Sequence, residues 1–92
     1  MALWIPPIGA AREVFPKNLA KGFSLKELYE LIGFDYIEIL QIFDNQRMVV
    51  EDNGHLKKLP LNPRATVFYQ VGRSTGWAIV GNVVLCSSSE LQ

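Results

Sequence analysis

The residues best suited to chemistry in this chain are few and scattered. His55 and Cys86 are its single histidine and single cysteine. Together they could serve as base and nucleophile, but that chemistry needs both within hydrogen-bond reach and a third group to orient the base. Cys86 closes an apolar run and reads as a small buried hydrophobe. His55 follows Asp52-Asn53-Gly54, where an exposed hairpin residue is the ordinary reading. One histidine and one cysteine fall short of the roughly four ligands of a structural zinc site. Glu38 and Glu51 could face each other across a hairpin and trade a proton, although strand alternation reads them as ordinary solvent-face residues. Gly72 and Gly76 lack the following lysine and helix that give a phosphate loop its anion site. No catalytic residue, metal site or cofactor is therefore expected, and an enzyme is the weakest functional class.

Binding residues are easier to nominate. Asn62 followed by Pro63 offers a helix cap and a first-turn proline. Arg64 and Thr66 would then sit in a first turn whose free N–H groups can hold an anion, so Asn62, Arg64 and Thr66 form a candidate site for a small, nucleotide-like anionic ligand. The plainer alternative is a cap, a packed threonine and a solvated arginine. Arg64, Phe68, Tyr69, Arg73 and Trp77 interleave basic and aromatic residues, the pattern of a single-stranded nucleic-acid groove, though the aromatics also suit a core. Trp4, Ile5, Ile8 and Trp77 are candidates for an interface with a protein partner or a second copy. The proline-broken segment from Trp4 to Ile8 would suit a partly exposed sheet edge.

The whole chain narrows these options. Its 92 residues, 49% of them hydrophobic, fill one modest core. Nine basic residues balance nine acidic ones, so no global field attracts nucleic acid or an anionic membrane. A single cysteine excludes an internal disulfide and suits a reducing compartment, so a cytoplasmic location is expected. The apolar runs are far shorter than the roughly 20 residues of a membrane span, and residues 1–11 lack the features of a signal peptide.

These residues must be positioned by a small set of elements. Residues 3–15, broken by Pro6, Pro7 and Gly9, read as an edge strand or two short ones. Ser24 with Glu27 is a capping box, Phe23 with Leu28 a hydrophobic staple, and Gly33 a left-handed C-cap, which together predict a helix over 25–32. Residues 36–42 and 48–51 predict an antiparallel hairpin. Asp52-Asn53-Gly54 should turn into a short strand over 55–59. A short helix is predicted over 63–69, with a strand as the alternative because Thr66, Val67 and Phe68 have moderate helix propensity. Residues 71–76 read as a loop, and 77–86 as the last strand with a bulge or tight turn at Gly81-Asn82. The expectation is a single α+β domain over 1–86, built on a mostly antiparallel sheet of about four or five strands. A flexible polar tail is expected over 87–92.

Three stretches resemble a family of small domains of unknown function. Leu31-Ile32-Gly33-Phe34-Asp35-Tyr36-Ile37-Glu38 is similar to its signature of a helix followed by Val-Gly-Gly-Tyr-Ile-Glu, with Phe34-Asp35 in place of the second glycine. Leu59-Pro60-Leu61-Asn62-Pro63-Arg64-Ala65-Thr66 resembles its Leu-Pro-x-Asn-x-x-Ala-Thr. Ala78-Ile79-Val80-Gly81-Asn82-Val83-Val84-Leu85 resembles its closing Ile-x-Gly-x-Val-Val. The resemblance implies an origin in bacteria, their phages or mobile elements, where small domains often bind a host protein or sequester a small signal molecule. The combined expectation is a non-catalytic binding or regulatory protein working through protein contact as a homo-oligomer. A small-anion-binding protein and a single-stranded nucleic-acid binder are the alternatives.

Overall fold

The computed structural model describes residues 1–34, 36–52, 58–73 and 78–92, with residues 71–73 described by their backbone alone. The best-specified element is helix α1, Leu25–Ile32. Ser24 Oγ accepts the Glu27 N–H at 3.2 Å, and Glu27 Oε1 accepts the Ser24 N–H at 3.0 Å, so each satisfies a donor the helix leaves open. At the other end Gly33 takes φ 93°, and its N–H reaches the Tyr29 carbonyl at 2.7 Å. Leu28 and Ile32 point inward, into the same core cluster as the staple residue Phe23.

Strands β1 (Ala2–Ile5), β2 (Arg12–Val14), β3 (Ile37–Phe43), β4 (Gln46–Glu51) and β5 (Val83–Ser87) form one antiparallel sheet in the order β2-β1-β5-β4-β3. The second helix, α2, spans Pro63–Arg73. Because side chains alternate along a strand, neighbouring residues of the central strands serve opposite faces. Met48, Val50, Val83 and Leu85 join Ile5, Ala65 and Ile79 under α2. Val49, Val84 and Cys86 join Ala2, Leu28 and Ile32 under α1. A central sheet covered on both faces explains why Met48 to Val50 and Val83 to Cys86 are unbroken apolar runs rather than alternating ones. The architecture is the expected α+β domain.

Several boundaries differ from expectation, each for a non-local reason. Residues 3–15 do form two short strands, but β1 lies inside the sheet between β2 and β5, so Trp4 to Ile8 is not an edge. The helix after Asn62 continues to Arg73, replacing the start of the expected loop. The last strand begins only at Val83. Gly81 takes φ 77° and Val80 makes an isolated bridge to Leu61, so residues 78–82 are outside the named strands of the sheet. Lys58 is in a turn with φ 53°, and Leu59 is not in a strand. The rest of the expected 55–59 strand, with His55 and the Asn53-Gly54 turn, lies outside the described residues, as does Trp77.

The last six residues are tied down rather than frayed. Ser88–Glu90 forms a 3₁₀ turn, and Glu90 Oε1 accepts the Ser87 N–H at 2.8 Å. The Phe23 N–H donates to the Glu90 carbonyl at 2.7 Å, and the Gln92 N–H returns a bond to the Phe23 carbonyl at 3.1 Å. A polar tail can dock because the chain before α1 offers backbone groups that also lack partners.

Candidate functional site

The three residues nominated for an anion do come together, at the entrance to α2. Asn62 is 0% exposed and engaged on every side. Its Nδ2 donates to the carbonyls of Ile5 at 2.9 Å and Gly81 at 2.8 Å, while Oδ1 caps the helix by accepting the Ala65 N–H at 3.2 Å. Thr66 Oγ1 accepts the Ile79 N–H at 2.9 Å and lies 2.8 Å from the Asn62 carbonyl, to which it donates. Arg64 reaches back to the carbonyls of Pro6 at 2.8 Å and Gly9 at 2.5 Å. Pro63 has no N–H, and those of Ala65 and Thr66 are used within the turn. The cluster therefore joins β1, α2 and the approach to β5, with its polar groups turned to the protein's own backbone.

A cleft of about 280 Å³ opens between α2 and the β3–β4 hairpin, lined by Glu38, Leu40, Val50, Glu51, Asp52, Tyr69 and residues 78–80. Glu38 and Glu51 do not face each other. The register sets Glu38 opposite Val50 and Ile37 opposite Glu51. Glu51 is also only 4% exposed, where alternation alone read it as a solvent-face residue. Tertiary packing at the sheet end buries it, a signal absent from local pattern. With three carboxylates on its wall the cleft repels anions and suits a cationic or hydrogen-bond-donating group. Among the described residues no group of three His, Cys, Asp or Glu could hold a metal ion.

Cys86 is buried, and burial pushes its thiol up to about 11, which suppresses the thiolate a nucleophile needs. Of the nucleic-acid candidates, Phe68 is exposed, while Tyr69 packs against the core under α2 and Arg64 is engaged as above. Of the interface candidates, Ile5 is core and Trp4 is half-buried, its indole N–H donating to the Leu31 carbonyl at 2.8 Å. The Arg12 guanidinium lies 4.7 Å from the Trp4 ring centroid and covers its face. Among the described interface candidates Ile8 alone is exposed, at 87%.

The open surface lies at the far side of the sheet. Strand β3, with the sequence Ile-Glu-Ile-Leu-Gln-Ile-Phe, pairs with β4 on one side and is the last strand of the described sheet on the other. Ile39 is 44% exposed and Phe43 48%, and Tyr36 just before the strand is exposed too. The opposite edge, β2, has three residues and is soon followed by Pro16. Composition did signal β3 as apolar, but only the strand order makes it an edge.

Fold and surface together define a small α+β domain with a doubly covered antiparallel sheet that ends in an apolar strand, β3. The chain belongs to the DUF3846 family, a domain of unknown function, whose pattern matches residues 3–91. No curated protein and no solved structure matches it significantly. No helix among the described residues is long and apolar enough to cross a membrane.

Proposed function

We propose that this is a non-catalytic binding protein that acts through protein–protein contact as a homo-oligomer, encoded by a phage or mobile element. The observation that carries the reading is the position of β3 at the end of the described sheet, with Ile39 and Phe43 exposed. Natural sheets usually guard such an edge with lysine, proline, a short strand or a covering loop. β2 is guarded by its shortness, whereas β3 runs seven residues with one charge, Glu38, and no proline or lysine. A strand from another chain can complete the hydrogen bonds of such an edge while its side chains meet Ile39 and Phe43. Zero net charge removes overall repulsion between copies. The origin rests on the sequence signatures alone.

Support for a nucleotide-like anion at Asn62, Arg64 and Thr66 is weaker, because their polar groups serve the backbone and the adjacent cleft carries carboxylates. Native mass spectrometry of the protein purified from cells tests the choice. The expected spectrum is an integer multiple of the subunit mass with nothing added. A monomer carrying a small mass released by denaturation would replace this reading with small-ligand binding. A bare monomer at micromolar concentration would end it.

A further inference from the structure

We draw no further inference here: the strongest candidate, the cleft between α2 and the β3–β4 hairpin walled by Glu38, Glu51 and Asp52, is an acidic cluster whose buried Glu51 already has an interaction partner, and nothing in the structure shows what fills it.

Discussion

The side-chain amide of Asn62 donates to the main-chain carbonyl of Ile5, 57 residues earlier in the chain, and the two lie 2.9 Å apart in a fully buried contact. With its second bond to Gly81, this amide joins the end of β1 to the approach to β5 while its oxygen starts α2. Asn62→Ala should therefore remove a cap and strand two buried carbonyls. Those losses total about 3 kcal/mol or more. Urea unfolding should show the midpoint falling at constant slope. A fall worth under about 1 kcal/mol would mean that water replaces the amide and the contact is not structural.

Gly22 carries a comparable constraint at the other end of the molecule. Its φ is 86°, and a Cβ there would come within 2.3 Å of the Glu90 carbonyl oxygen. That approach lets the Phe23 N–H donate to the Glu90 carbonyl while Gln92 donates back to the carbonyls of Phe23 and Gly22. Gly22→Ala should release the turn and cost about 2 kcal/mol, since strain of this kind runs to a few kcal/mol. In a domain this small the melting temperature should drop by roughly 10 °C. An unchanged melting temperature would show that the docked C-terminus contributes little.

Two carboxylates give stability a direction with pH. Hydrogen bonds from the backbone N–H of Ser24 and of Lys17 hold Glu27 below the usual carboxylate value of 4.5. Burial alone would raise Glu90, but hydrogen bonds from the Ser87 backbone and hydroxyl bring it below that value. A group depressed in the folded state stabilises above its unfolded pKa, and that contribution is lost as pH falls through the folded one. Stability should therefore decline on acidification below about 4.5. Glu27→Gln should lose less over that window than wild type, measured by urea midpoints from neutral pH downward. Parallel pH curves would remove Glu27 from the account.

Cys86 should be inert in the native protein. With its thiol raised to about 11 by burial, only about one molecule in a thousand carries thiolate at pH 8. Alkylation should proceed at the rate of unfolding and become fast in denaturant, followed by intact mass. Rapid labelling under native conditions would require Cys86 to be accessible, contrary to its place under α1 beside Val49 and Val84.

Helix α1 was legible to the residue because everything that defines it lies between Phe23 and Gly33: staple, cap, capping carboxylate, apolar face and left-handed stop. The β3–β4 hairpin was legible for the same reason, as was the cap function of Asn62. What Asn62 does with its amide was not, because its partners, Ile5 and Gly81, lie far off in sequence. The burial of Glu51, the docking of the C-terminus and the choice between edge and interior were hidden likewise. Apolar content marks both β1 and β3 as strands, but the pairing of β1 with β5 places Trp4 inside the sheet and leaves Ile39 at its margin. Local hydrogen bonding and side-chain periodicity belong to neighbours along the chain, so the residue order alone decides them. Which backbone groups remain open to another molecule depends on which distant segments meet, and that the tertiary structure decides.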